Sequence, residues 1–590
     1  MGQYNLLDEP WIAVMPADGS QAKTVSLLTL FREAHRCKRL AGEMVTQDFA
    51  VLRLLLAVLT TVFSRLDADG KPYSFVELDE RFRQTNDVDE DDLEEEDEFE
   101  EAMAETWQAL WQRGAFPEIV ATYLEAWRDR FYLFDETYPF YQVRREDFER
   151  YGVKKKNKEK KEKSNKWRGT ETYGTLFTGS NMNRLISESR NKKALFSPRD
   201  DAEKDTMDSA ELVRWLIMLQ GYVGTGDKGK FREKGKEEAW SKGWLYDIGG
   251  ICMAGDNLFE TLMMNLVLCH PAENDVRHRQ RSCWEFEAGA FLDKLLRSEQ
   301  PDNLAELYTN WSRAIFIDLE NQKENDTFVD IVQLPEITHL DPFLELMSLF
   351  QYNDKDKNKE HYTLRKHKLE QAMWRSFGLI TLNQANEDSR QRRPGILDQY
   401  DAIREWVGDR IIHLWAVSMR DDGNPLSWAP IDEIVDVLNL NELVITDQGD
   451  NGWCVRVNEA VVLTKKIVEK VYRAYIHEIA IIRNIGKDVK RKPDPKREAY
   501  IESQTEDLYA QIDGPFREWL EAIRPENDKD EQIHRWQVTL KRLVLRQARE
   551  ILEAANHRDF TGITDDKGHT ENIATAYNRF RANLNRQIPD

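Results

Sequence analysis

Residues 459–485 read EAVVLTKKIVEKVYRAYIHEIAIIRNI, with apolar residues recurring three and four positions apart, the spacing of one helix face. Three more amphipathic stretches follow, 497–523, 532–556 and 568–587, separated by polar breaks carrying Pro493, Pro495, Pro525 and Gly562. A helix with one apolar stripe must bury it. Four such helices joined by short loops do so most simply as an antiparallel bundle. A boundary near 457 then gives a four-helix bundle over 458–590 and a body over 1–457.

Working upstream, the texture is mixed. Asn5-Leu-Leu-Asp-Glu-Pro-Trp-Ile-Ala-Val14 predicts a short strand after a turn. Val25–Arg36, Thr46–Leu66, Glu101–Arg128, Ala210–Tyr222 and Leu258–Leu268 carry helical periodicity. Phe131–Val143 is aromatic and extended, broken by Pro139. Ala314–Leu319 and Phe328–Val332 are candidate strands. Ile411–Trp428 and Glu442–Val457 read as hairpin material, with Asp422-Gly423 and Asp450–Gly452 as turn signals. The fold class is α+β, a large mixed α/β N-terminal body followed by a C-terminal four-helix bundle. The length of 590 residues fits two or three domains.

Hydrophobic residues make up 41% and charged residues 32%, a globular balance. The formal charge of −23 would argue against nucleic acid if it were evenly spread. It is not: Asp87–Glu101 is almost wholly acidic and Arg144–Arg168 strongly basic, two runs that read first as solvated insertions. The apolar run Ala50–Phe63 is short for a membrane span and contains Arg53, so it reads as a buried core helix. No secretory signal opens the sequence, and the five cysteines are scattered and odd in number, the pattern of a reduced cytoplasmic protein.

Motifs for chemistry are few. Gly224-Thr-Gly-Asp-Lys-Gly229-Lys230-Phe231 matches two phosphate-loop patterns, but these need a strand before the loop. Here Glu211–Gln220 is helical and Phe231 stands where a magnesium-binding hydroxyl is needed. A nucleotide-binding enzyme using 224–231 is the alternative reading, and a thermal-shift titration with ATP and magnesium separates it. A structural interaction protein without nucleic-acid contact is the third reading. Cys269, His270, His278 and Cys283 are zinc-ligand types, but their spacing fits no paired knuckle. No hydrolase or nuclease motif is present, and no cofactor is implied. Basic residues recur at Arg365–Lys368, Arg390–Arg393, Lys465, Lys466, Arg473, Lys487–Lys492 and Arg542/Arg546/Arg549; along a helix such residues can line a phosphate groove.

Taken in order, several blocks resemble one family, the CasA-type large subunit of the type I-E CRISPR surveillance complex, Cascade. The opening Asn5–Val14 is similar to its N-terminal signature. Phe131-Tyr-Leu-Phe134 with Tyr138-Pro139-Phe140 resembles its aromatic segment, and Gly179-Ser-Asn181 with Leu195-Phe196 the approach to its long L1 loop. Lys242-Gly243-Trp244 and Asn257-Leu-Phe-Glu-Thr-Leu-Met-Met-Asn265 resemble a further block. The similarity runs over the whole sequence.

The resemblance implies a non-catalytic subunit. It would read a protospacer-adjacent motif (PAM) in double-stranded DNA, start duplex unwinding for guide RNA pairing, and help recruit a helicase-nuclease in antiviral defence. The implied partners are the guide CRISPR RNA, target duplex DNA, the other Cascade subunits and, transiently, the helicase-nuclease; no membrane is involved. Delegating sequence to base pairing leaves the protein only a short motif to read. On this resemblance Gly224, Thr225, Gly226, Asp227 and Lys228 form a glycine loop at the DNA. Arg420, Gly423 and Asn424 lie at a hairpin tip that wedges the duplex, and Lys465, Lys466 and Arg473 face the DNA from the bundle. Phe196 and Asn181 touch the RNA handle or a neighbouring subunit. Two positions depart from the family: Asn424 is the nearest amide to its wedge glutamine, and its lysine finger falls near Asp330.

Overall fold

The computed structural model describes the chain apart from residues 1, 89–97, 152–154, 157–170, 183–198, 201–202, 227–228, 230–240, 270–278, 320–326, 338–343, 354–360, 383–391, 422, 424–429, 487–493, 565–567, 569 and 590. It divides into two compact units. The first comprises Met1–Glu370, Glu387–Gly408 and Leu414–Val437. The second comprises Gln371–Asn386, Asp409–His413 and Leu438–Asp590.

The first unit is organised on the helix Val45–Phe63, in which every residue from Phe49 onward is buried. By length and composition this helix could cross a membrane, but the protein's own side chains cover it. Helices Ile119–Ala126, Ser209–Tyr222, Leu258–Asn265 and Leu304–Tyr308 pack against it. Its charge is accommodated inside. Arg53 donates two hydrogen bonds to the Glu345 carboxylate, at 2.7 and 2.8 Å, with both side chains at most 2% exposed. Arg65, just beyond the helix, pairs in the same fork geometry with buried Glu285, at 2.8 and 2.9 Å.

Around this core lie small sheets. The opening signature makes the strands Gln3–Asn5 and Ile12–Pro16, joined by a turn that exposes Asp8, Glu9 and Pro10. Leu6, Leu7 and Trp11 are fully buried, the Trp11 indole donates to the Leu6 carbonyl at 3.0 Å, and the Asn5 side chain accepts from the Leu7 amide. Ile12–Pro16 is the centre of an antiparallel sheet between Lys23–Val25 and Cys37–Leu40. Phe328–Gln333 is the buried centre of another, between Arg313–Phe316 and Thr175–Thr178, with Ile331 opposite both Ile315 and Thr175.

A third sheet places the long strand Ile411–Asp421 between Gly250–Ala254 and Pro430–Asn441. A Cβ on Gly250 would meet the Val417 carbonyl oxygen at 2.7 Å and the Phe49 ring at 3.1 Å, so only glycine fits where the hairpin presses on the core helix. The strand expected from Ile411 is present, but its partner is Pro430–Asn441. The second stretch expected to be hairpin material, Glu442–Val457, is instead helical at both ends, with helices Leu443–Thr446 and Trp453–Lys466. Local polar groups decide this: Asn441 accepts from the Leu443 amide and Asp447 from the Trp453 amide, so the 450–452 turn opens a helix.

The second unit holds the bundle. Its first helix runs from Trp453–Lys466 through a π-helical segment, Ile467–Tyr472, into Arg473–Ile482. The other three are Pro495–Glu521, Lys529–Glu553 and Ile573–Gln587. Side chains of Asp494, Asp528 and Asn572 cap their starts, which explains why each polar break ends where it does. Aromatic rings fill the interior: Phe516 meets Trp536 edge-on at 4.9 Å, and Tyr475 stacks on Phe580 at 4.9 Å. The segment Gln371–Asn386 belongs to this unit. Trp374 stacks on Phe516 at 4.3 Å and donates to Asp513 at 2.8 Å, while Arg375 lies 3.5 Å over the Tyr509 ring.

Candidate nucleic-acid interface

The glycine loop leaves the end of helix Ser209–Tyr222, so a helix and not a strand precedes it. Its footing is polar and internal. Arg313, fully buried, donates to the Gly224 carbonyl at 2.7 Å and to the Ser241 hydroxyl and carbonyl, each at 3.0 Å. At the other end the Gly229 amide donates to the Thr175 hydroxyl at 3.0 Å, and its carbonyl accepts from the Gln333 amide at 2.9 Å. These backbone groups are therefore spent on holding the loop, unlike a phosphate loop whose amides converge on a ligand. Gly224 and Thr225 are buried and Gly226 is exposed. The Thr225 hydroxyl has no hydrogen-bond partner among the described residues. Gly224 and Thr225 thus serve as the base of the loop, correcting their placement at its contact surface. Asp227 and Lys228 lie outside the described residues.

The hairpin is fixed at the root of its tip. Lys366 donates to Asp421 at 3.0 Å, lies 3.8 Å from Asp247 and sits 3.8 Å over the Tyr246 ring. Burial pulls the Lys366 ammonium below its ordinary value, while Asp247 and Asp421 favour its charge. Burial pushes the Asp421 carboxyl up, but Lys366 and the Gly423 amide outweigh it and hold it below the usual carboxylate range. Gly423 is exposed, has φ +67° and donates its amide to Asp421 at 2.9 Å. Arg420 is half-exposed and lies 3.8 Å from Asp432 on the returning strand. Asn424 lies outside the described residues.

One segment, Ser241–Asp247, serves both features. Ser241 receives Arg313 under the glycine loop, and the Gly243 amide donates to the Val223 carbonyl at 2.9 Å. Lys242 pairs with Asp247, which also faces Lys366 beneath the hairpin. The two elements are joined by a short run of side chains, which the spacing of the sequence did not reveal.

Asp330, where the family's lysine finger was expected, is buried. Its carboxylate accepts the Gly174 amide at 2.8 Å and the Tyr173 amide. An acid here closes a turn between strands, and a side chain at this position does not reach a surface. Asn181 is half-buried and accepts from the Thr178 amide and hydroxyl, at 3.1 and 2.9 Å, so its carbonyl is committed to a local turn. Phe196 lies outside the described residues. Burial pushes both the Cys269 and Cys283 thiols up to about 12, and no cluster of metal-ligand side chains occurs among the described residues. His270 and His278 lie outside them.

The bundle's basic residues divide by environment. Lys465 is half-buried and donates to the Arg375 carbonyl at 3.4 Å; Arg473 pairs with Glu498 at 2.6 Å. Lys466 is exposed. On the third bundle helix Arg535, Arg542, Arg546 and Arg549 are all exposed. Their spacing of seven, four and three puts them on one face, and none forms an ion pair among the described residues. The second bundle helix instead exposes Glu502, Asp507 and Glu518. The third bundle helix also exposes Glu531, Glu550 and Glu553, so the four arginines form a basic run bounded by acids.

Residues 5–547 match the family of CRISPR-associated protein Cse1. No curated protein matches. Among solved structures, Cse1 of Thermobifida fusca superposes with a TM-score of 0.73 at 23% identity, covering 100% of this chain and 98% of that one. Cse1 of Acidimicrobium ferrooxidans gives 0.70 at 19%, covering 100% and 98%. A chain of a CRISPR RNA-guided surveillance complex gives 0.64 at 16%, covering 99% and 100%. At these identities the superpositions establish the α+β fold, and the match over 5–547 establishes the lineage. The chain belongs to the CRISPR-associated Cse1 family, the CasA-type large subunits of Cascade.

Proposed function

We propose that this protein is the non-catalytic subunit through which an RNA-guided surveillance complex reads a PAM in duplex DNA and begins to open it. The observation that carries this reading is the long hairpin Ile411–Asp421/Pro430–Asn441, fastened at the root of its tip and tied through Ser241–Asp247 to a glycine loop whose Gly226 is exposed. A glycine lets backbone approach a narrow groove. A wedge that unstacks a base step costs a few kcal/mol, offset by contacts to the opened duplex. Guide RNA, target DNA, the other Cascade subunits and a recruited helicase-nuclease are the partners in this reading, with the cytoplasm as the site of action. All five cysteines are free thiols, as a reducing compartment keeps them. The nucleotide-enzyme alternative is disfavoured because the loop follows a helix, and the Gly224 carbonyl and Gly229 amide are taken by internal partners.

Phosphate contact by the bundle gives a salt-dependent test. Replacing Arg542, Arg546 and Arg549 with alanine lowers duplex affinity and flattens the log Kd against log salt plot by about 0.9 per lost phosphate contact, up to about 3 in all. Lys465 and Arg473 have internal partners, so neutralising them has a smaller effect. Filter binding of the assembled complex at a series of salt concentrations measures both. An unchanged slope in the triple variant removes the bundle from the DNA interface.

A further inference from the structure

The returning strand of the hairpin carries a carboxylate that performs a task for a distant helix. The N-terminus of the core helix Val45–Phe63 has no capping side chain of its own, because Met44 occupies the cap position. Glu433 fills the role. Its carboxylate accepts the Val45 amide at 3.2 Å, the Thr46 amide at 2.9 Å and the Thr46 hydroxyl at 2.9 Å. The first amides of a helix lack partners within it and carry its positive dipole end, so an anion there is held by charge as well as by geometry. Every residue of this helix from Phe49 onward is buried, which makes it a rigid reference for anything attached to it.

The outgoing strand is held independently. Asp421, the last described residue before the 422–429 tip apart from Gly423, is gripped by Lys366, itself seated on Tyr246 and beside Asp247. Glu433 lies three residues beyond the start of the returning strand, Pro430. Both strands are thus fastened close to the tip, one to a helix end and one to a lysine. A hairpin whose only task was to complete a sheet would need neither ionic anchor, since its ladder hydrogen bonds already hold it.

We propose that Glu433 and Lys366 are positioning residues for duplex opening, clamping the two strands of the hairpin to the body so that its tip meets the DNA at a fixed reach. The inference rests on the wedge reading of the hairpin given above. It assigns to these residues no contact with DNA. They act through the tip: with the strands free to rock, the tip still touches the duplex but inserts less often.

The test uses the reconstituted complex and two target DNAs, a duplex and a matched target already unpaired beside the PAM. A 2-aminopurine at the first base pair reports opening. Glu433→Gln and Lys366→Met each slow opening of the duplex by about tenfold, the loss expected from one charge-assisted anchor. Both variants bind the pre-opened target as the parent complex does. Lys366→Arg, which keeps a positive charge beside Asp421 and Asp247, opens the duplex at close to the parental rate. If the parent complex fails to open the duplex at all, the wedge reading fails. If the parent opens it and both variants do so at the parental rate, or if both targets are affected equally, the positioning inference is wrong and the wedge reading stands. Should Glu433→Gln not assemble, Lys366→Met and Lys366→Arg decide the question, since that anchor leaves the core helix untouched.

Discussion

Glu345→Ala destabilises the first unit by about 3–5 kcal/mol, the cost of leaving a buried arginine without its carboxylate. Glu345 accepts both arms of the Arg53 guanidinium, the Trp244 indole at 2.6 Å and the Met347 amide at 2.9 Å. Arg53 also lies 4.1 Å over the Tyr308 ring. The substitution strands a charge within the helix on which the unit is organised, and no solvent reaches it. Urea unfolding, followed by the fluorescence of the buried tryptophans, shows an earlier first transition. The double variant Arg53→Met/Glu345→Leu regains most of the loss, because replacing a buried pair by apolar groups of similar volume is often neutral. A single Glu345→Ala variant within about 1 kcal/mol of the parent, a change typical of an exposed ion pair, contradicts the assignment of a buried one.

Replacing residues 422–429 with two glycines slows PAM-dependent duplex opening by about a hundredfold or more. Unstacking a base step costs a few kcal/mol, and each 1.4 kcal/mol no longer offset by the wedge is about tenfold in rate. The replacement spares Asp421 and Glu433, so both strand anchors remain. Stopped-flow fluorescence of a target labelled next to the PAM gives the rate. Guide pairing to a single-stranded target proceeds normally, because that substrate presents nothing to wedge. Equal rates with and without the tip would remove the hairpin from the mechanism.

The bundle was legible because its information is local. A stripe repeated three and four apart, a capping Asp or Asn and a polar break each sit within a few residues of what they specify. The opening signature was legible for the same reason: the Asn5–Trp11 turn is closed by its own neighbours. Long-range decisions were not legible. Arg53 meets Glu345 across 292 residues, and Glu433 caps a helix 387 residues upstream. Nothing in either local pattern separates these acids from the exposed ones around them. The alternating stretch after Asn441 misled because one amide cap on Leu443 is enough to start a helix in a sequence that would also make a strand. Gln371–Asn386 carries no stripe, yet Trp374 seats it on Phe516 within the second unit.

The candidate site shows the same division. A glycine-rich run is visible in sequence, but which glycine reaches the surface depends on Arg313, whose strand is about ninety residues away. The basic residues of the bundle could be counted but not sorted. Glu498 and the Arg375 carbonyl occupy Arg473 and Lys465, whereas Arg542, Arg546 and Arg549 share an outward face.

On the proposed function, this chain confers PAM selectivity on the complex. Assembling the guide RNA and the other Cascade subunits with and without it, and selecting bound duplexes from a library randomised at the positions flanking the target, tests that directly. Enrichment of a short flanking motif is expected only when the chain is present, and is lost when Gly226 is replaced by proline. Identical flanking sequences recovered from both assemblies would contradict it.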